Sequence, residues 1–322
     1  MGESSWHRIL ILHGGAIGDL VLALPAIAAV RRSAPRATIE LLGHPALHPL
    51  LEGRGLIDRG DVLDSLPLHH LFNGEMPESL RERLTSFDLI ISWFGAGNDT
   101  YRQMLSRLPV RTLVARSIPP AEGRVHAVDH LLQTLEPLGI TTEERTPRLA
   151  LTESERQMAD RLLDRMGVDR GPLVALHPGS GSPRKCWPAE RFAALVLALL
   201  EREMIVVVIE GPADEHAVEE VFFWTAKRGG PHAGNRLVRL RQVSLREVAA
   251  ILDRSVAYVG NDSGITHLAA AVGAPTLAIF TVTDPRVWGP RGTVVILEGL
   301  PSVDAVLAEL DAHLLAASAV RP

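Results

Sequence analysis

The stretch from Val259 to Phe280, VGNDSGITHLAAAVGAPTLAIF, constrains the fold more than any other part of the chain. An apolar run meets an acidic, glycine-bearing turn, an alanine-rich helical segment follows, Gly273 and Pro275 end it, and a second apolar run begins. That order is a βαβ unit, whose strands lie parallel in one sheet with the turn at a strand's carboxyl end. Asn261 or Asp262 can cap a helix beginning near Ser263, so that the amides of Ser263, Gly264 and Ile265 point out of its start. Such amides, with the helix dipole behind them, seat a phosphate or diphosphate. An ordinary capped helix carries the same local signature, so other segments must decide between the two readings.

The same alternation runs through the chain. Near the start a strand at Ile9 to Leu12 leads into the turn HGGAIGD, a helix from Leu20 to about Arg32 and a strand at Thr38 to Leu42. Leu89 to Ser92 and Thr112 to Ala115 read as further strands, with helices at Pro77 to Leu84 and Asp129 to Leu138. The segment Gly139 to Thr152 is polar and threonine-rich and reads as a linker. The pattern then restarts, with helices at Glu153 to Met166, Ala189 to Glu201 and Ala213 to Lys227, and strands at Leu173 to His177, Ile205 to Ile209, Leu237 to Leu240 and Val294 to Leu297. Ser244 and Glu247 form a capping box. With 322 residues, 46% of them hydrophobic, the chain can build two cores. Two α/β domains with parallel sheets are therefore expected, residues 1–150 and 153–300. A terminal helix, 303–317, has no strand behind it and is expected to pack back on the first domain.

Composition excludes several classes. A net charge of −5 argues against nonspecific nucleic-acid binding, which needs clustered cations to neutralise phosphates. The single cysteine, Cys186, excludes an intrachain disulfide framework and a cysteine-rich zinc site and fits a reducing compartment. His69 and His70 are adjacent rather than at ligand spacing, there is no HExxH, and no metal is expected. No apolar run reaches transmembrane length, and the opening MGESSWHRILILHGG has too short an apolar segment for a signal peptide, so a cytoplasmic location is expected.

Four segments can carry chemistry. In HGGAIGD, Gly14, Gly15 and Gly18 make a tight turn and Asp19 falls in the first helical turn, where it is either a general base or a helix cap. The spacing is not G-x-G-x-x-G, so Glu40 at the end of the next strand does not complete a nicotinamide site. In HPGSGSPRKCWP, Ser180, Gly181 and Ser182 let donors approach an oxyanion, and Lys185 adds a mobile cation. Lys185 and Lys227 are the two lysines among 33 basic residues, which gives weight to a lysine inside a motif. Trp187 reads as packing at a helix entry. In IEGPADE, the carboxylates Glu210, Asp214 and Glu215 can meet ribose hydroxyls or simply favour a helix start. His267, one turn into the anion-site helix, donates to a phosphate or packs in the core. The arginines Arg102, Arg107, Arg111, Arg116 and Arg124 form either a surface for an anionic acceptor or a solvated helix face.

GDLVLALPA, HPGSGSPRKCWPAERF, RQVSLREVAAIL and GNDSGITHLAAAVGAPTLAIFTVTDP together resemble glycosyltransferase family nine, the ADP-heptose:lipopolysaccharide heptosyltransferases. The resemblance covers nearly the whole chain and implies a GT-B architecture, two Rossmann-like domains with parallel sheets facing a central cleft. It implies an inverting transfer of a heptose or related sugar from a nucleotide diphosphate donor, ADP-heptose, to a lipopolysaccharide-core or other glycan acceptor. The family's catalytic aspartate falls on Asp19 and its lysine on Lys185. Its diphosphate turn falls on Asp262, Ser263 and Gly264, with Ser180 and Ser182 in the phosphate loop. Its base contact falls on Val243, and its ribose carboxylate on Asp214 or Glu215. Gly14, Gly15 and Gly18 lie on the acceptor side. No cofactor is implied beyond the donor, and the expected partners are the sugar nucleotide and a glycan or glycolipid, with a monomer lying peripherally at the inner face of the membrane. Other GT-B transferases with a different donor and acceptor, and catalytically inactive nucleotide-sugar binding proteins, share these features.

Overall fold

The computed structural model describes residues 6–120, 124–168, 170–229 and 234–315. The chain divides into two compact units, Met1–Pro147 and Arg148–Pro322. The first is built on β1 (Arg8–His13), β2 (Thr38–Leu42), β3 (Arg59–Asp61), β4 (Leu89–Trp93) and β5 (Arg111–Val114), in the order β3-β2-β1-β4-β5. All four pairings are parallel. Strands β1 and β4 are apolar runs buried almost throughout rather than on alternate residues, as expected of parallel strands covered on both faces. The helical segment after β1 is two helices, α1 (Ile17–Leu22) and α2 (Leu24–Ser33), not one. Pro25 is the reason, because it has no N–H to give to the Val21 carbonyl and its ring crowds that carbonyl. A third helix, α3 (Glu78–Thr85), brings Arg83 to Glu40, and the guanidinium also lies 4.8 Å from the Phe87 ring centre. Glu40 is thus held in a buried ion pair.

The second unit contains β6 (Leu173–His177), β7 (Ile205–Ile209), β8 (Leu237–Leu240), β9 (Ala257–Asn261), β10 (Thr276–Phe280) and β11 (Val294–Glu298). Their order is β11-β10-β9-β6-β7-β8, and every pairing is parallel. Winding runs outward from β6 to β8 and then returns to β9 on the other side of β6. The reversal opens a crevice at the carboxyl ends of β6 and β9, where ligands of open α/β sheets bind. The first unit reverses in the same way between β1 and β4.

Helices α4 (Ala189–Glu201), α5 (Glu215–Lys227), α6 (Leu245–Arg254) and α7 (Gly264–Val272) connect the strands. The last helix, α8 (Val303–Glu309), corrects the expectation that it packs back on the first domain. Its Val306, with Leu310 beyond, is fully buried in the same core as Val196 and Leu199 of α4. Val303, Val306, Leu307 and Leu310 are spaced as one apolar helical face, and the second unit's own core uses it. Residues 316 and 317 of that expected helix lie outside the described residues. Among the described residues no helix is long and apolar enough to cross a membrane.

Candidate active site

Strand β9 delivers the turn Asn261–Gly264 to the crevice of the second unit. The cap of α7 is Ser263, rather than Asn261 or Asp262, and its hydroxyl accepts from Thr266 N. The two preceding residues are committed elsewhere. Asn261 is fully buried, its Oδ1 accepting from Trp187 N at 2.8 Å and its Nδ2 donating to the Pro178 carbonyl at 2.7 Å. Asp262 Oδ2 accepts from Lys185 Nζ at 2.7 Å and from Thr283 Oγ1 at 2.6 Å. Ser180 Oγ donates to the Asp262 carbonyl at 2.6 Å. The loops after β6, β9 and β10 are thereby tied into one rim. The amides of Ser263, Gly264 and Ile265 precede the first helical bond, Thr266 N to Ser263 O at 3.1 Å. Asn261→Leu leaves the Trp187 amide and the Pro178 carbonyl buried without their partner, and is expected to cost about 2–5 kcal/mol in urea unfolding.

Lys185 lies on a short 3₁₀ turn, Pro183–Lys185, within the stretch expected to be an open loop. The turn closes through Lys185 N to Ser182 O at 3.0 Å, and Thr281 Oγ1 holds it from the β10 side by donating to the Arg184 carbonyl at 2.9 Å. Gly181 is exposed. Trp187 is buried, donates from Nε1 to the Pro301 carbonyl at 3.0 Å and packs edge-on against Phe192, a packing role as read from its sequence context. His267 is buried, with Nε2 3.9 Å from Asp262 Oδ1.

The two carboxylates offered for ribose binding differ sharply. Asp214 is buried, accepting from His177 Nε2 and from Gly211 N, each at 2.9 Å. Burial alone would push its pKa up. The His177 hydrogen bond and charge and the Gly211 amide outweigh burial and hold it below the usual carboxylate range. A Cβ on Gly179 would fall 1.9 Å from Asp214 Oδ1, so only glycine admits this approach. Glu215, in the first turn of α5, is exposed. Glu210 pairs with Arg239. A cavity of about 580 Å³ opens between the β6 loop and α5, lined by Gly179, Ser180, Gly181, Trp187, Asp214 and Ala217 among others. Val243 is half-buried just before α6, where Ser244 and Glu247 make the expected reciprocal cap.

In the first unit, β1 ends at the turn that sets Asp19 in place. A Cβ on Gly14 would meet the Phe94 ring at 2.7 Å, and one on Gly15 would meet Asp19 Cβ at 2.5 Å and the His13 ring at 2.7 Å. Gly18 lies inside α1. Asp19 is half-buried, and its Oδ2 accepts from Ala16 N at 2.9 Å, so the carboxylate caps the helix and is fixed in orientation. His13, behind it, is buried and accepts from Gly15 N at Nδ1. Loss of hydration pushes its pKa down to about 4, only partly offset by its backbone hydrogen bond. An unfolded histidine takes its proton near pH 6.5, so the folded state loses stability as pH falls from 6.5 toward 4. His13→Asn, which keeps an acceptor for Gly15 N, is expected to flatten that part of the curve of unfolding free energy against pH, by about 3 kcal/mol across the window.

Of the arginine group, Arg102 pairs with Asp99 one helical turn away and Arg111 donates to the Pro137 carbonyl at 2.9 Å, so both belong to the local scaffold. Sequence reasoning did not single out His177, Thr281 or Thr283. The one available signal was position, since each stands at or just beyond the carboxyl end of a predicted strand.

The chain has counterparts among known proteins. A family model described as glycosyltransferase family 9 (heptosyltransferase) matches residues 102–300. Lipopolysaccharide heptosyltransferase 3 of Escherichia coli strain K12 is 28% identical over 309 residues, covering 85% of this chain and 82% of that protein. A glycosyltransferase family 9 crystal structure from Veillonella parvula superposes with a TM-score of 0.79 at 22% identity, covering 98% of this chain and 99% of the other. The E. coli heptosyltransferase WaaC with ADP gives 0.66 at 18%, covering 95% and 99%. The two parallel-sheet units are those of the GT-B fold. With the matched region running from Arg102 through the Lys185 loop and the Asp262 turn to Leu300, the chain belongs to glycosyltransferase family 9, the heptosyltransferases, and is a glycosyltransferase.

Proposed function

We propose that the protein transfers a heptose from ADP-heptose, with inversion, to a hydroxyl of a lipopolysaccharide-core glycan. The observation that carries this reading is the Lys185 ammonium bonded to Asp262 at the start of α7, a cation beside the leading amides of a helix at one anion seat. In this reading the diphosphate occupies the mouth of α7, and Lys185 turns from Asp262 to the leaving group. Glu215 meets the ribose, because Asp214 is already spent on His177 and Gly211. Val243 packs on the base. Asp19, oriented by the Ala16 amide, removes the proton of the acceptor hydroxyl as that oxygen attacks the anomeric carbon and the carbon–oxygen bond to ADP breaks. The Lys185 ammonium and the helix amides stabilise the departing charge, so the residues need no further cofactor. The glycolipid acceptor brings a monomer to the inner face of the membrane. Lipopolysaccharide heptosyltransferase 3 and WaaC with ADP, named above, support this donor and acceptor.

The test is calorimetric titration with ADP, UDP and GDP, followed by ADP release from ADP-heptose on adding a heptose-deficient lipopolysaccharide. Binding of ADP in preference to the others, with acceptor-dependent release, is expected. A preference for UDP or GDP assigns a different donor, and donor binding without turnover on any glycan would make the protein a binding module.

A further inference from the structure

Asp262 is 6% exposed, and if Lys185 leaves it for a diphosphate, a buried carboxylate must give up its cation. Parting a buried ion pair is strongly unfavourable when the charge left behind has nothing else to meet it. Here it has. Thr283 Oγ1 donates at 2.6 Å to the same oxygen, Oδ2, that accepts from Lys185 Nζ at 2.7 Å. His267 Nε2 lies 3.9 Å from the other oxygen, beyond hydrogen-bond reach, so among the described residues Thr283 is the second side-chain donor on this carboxylate. The loop after β10 keeps that hydroxyl in place. On one side of it, Thr281 Oγ1 donates to the Arg184 carbonyl at 2.9 Å. On the other, Asp284 Oδ1 accepts from Arg286 N at 3.0 Å and opens the short helix Pro285–Trp288. Val282 between the threonines is exposed, so both hydroxyls turn to the rim while the apolar side chain turns out.

We propose that Thr283 is a positioning residue of the donor site: it holds the Asp262 carboxylate while Lys185 moves to the diphosphate, and so lowers the cost of releasing the cation. The inference rests on the donor-site reading above. Before the nucleotide arrives, Asp262 has two side-chain donors; afterwards it has the threonine alone. Loss of the hydroxyl therefore harms the free protein less, because Lys185 still compensates the charge there. It harms the occupied site more, because the carboxylate is then buried with neither donor. The hydroxyl has one proton and gives it to Asp262, so Thr283 stays with the carboxylate while the three-donor ammonium of Lys185 turns to the ligand.

The experiment is calorimetric titration of ADP into the full chain and its variants. Thr283→Val removes the hydroxyl at nearly constant shape and is expected to weaken ADP about tenfold, as for a hydrogen bond to a charged group. Thr283→Ser restores the donor and should bind within about twofold of wild type. In an Asp262→Asn background no charge is stranded when Lys185 moves, and Thr283→Val should cost at most about twofold. A loop merely loosened by the substitution would weaken ADP alike in both backgrounds. Equal losses in the two backgrounds, or wild-type affinity in Thr283→Val, would overturn the inference. Should Thr283→Val fail to fold, Thr283→Ala carries the same comparison with the same two overturning results. ADP binding that Lys185→Ala leaves intact would instead sink the donor-site reading and this inference with it. A loss in Lys185→Ala without coupling between Thr283 and Asp262 sinks the inference alone, so the two failures are distinguishable.

Discussion

Asp19→Asn is expected to lower kcat by about 10²–10⁴-fold while leaving ADP affinity near that of the wild type. The asparagine carbonyl can still accept from Ala16 N–H, so α1 keeps its cap and the glycine turn its shape. What it cannot do is take a proton from the acceptor hydroxyl. Steady-state release of ADP from the sugar nucleotide, with calorimetry on the same preparation, separates the two effects. Turnover within a few-fold of wild type would remove Asp19 from the chemistry and leave it a helix cap.

Lys185→Ala tests the proposed leaving-group half of the reaction. It removes the ammonium that lies 2.7 Å from Asp262 Oδ2 and leaves a buried carboxylate facing the incoming diphosphate. Two anions then meet where one was compensated, and ADP affinity is expected to fall by about two to three orders of magnitude, with kcat following as the leaving group loses its cation. Fold stability should fall by about 1–3 kcal/mol, because the Asp262 carboxylate left behind is buried but keeps its bond from Thr283. Adding Asp262→Asn should recover part of the lost affinity by removing the repelling charge. If the double variant binds ADP no better than Lys185→Ala, repulsion is not the cause, and calorimetry on the pair of variants decides it.

The parallel α/β plan was legible because strands covered on both faces must be continuous apolar runs, and β1, β6, β7 and β10 are written that way. The edge strand β3, RGD, has no apolar run and owes its place to pairing with β2. Asn-Asp-Ser offers three good capping residues in a row, and local preference cannot rank them. The choice of Ser263 is made by Trp187, Pro178 and Lys185, which claim the other two side chains from 74 to 83 residues away in the chain. The difference between Asp214 and Glu215 is likewise tertiary, since it depends on Gly179 letting one carboxylate against His177. Residue types for the site could be read from the sequence, whereas their division of labour depended on contacts between distant loops.

The reversal of winding in the second unit has a consequence for how the protein is made. Every bond that joins the β6 loop to the β9 turn spans 74 to 86 residues, from Trp187 with Asn261 to His177 with Ser263. Such high contact order delays closure until most of the unit has emerged and the strands between have paired. A nascent chain ending before β9 can hold β6, β7 and β8 yet have no anion seat at all. At the proposed donor site, nucleotide binding is then expected to be a late event in biogenesis, and affinity for ADP during refolding would report completion of the second unit rather than its collapse.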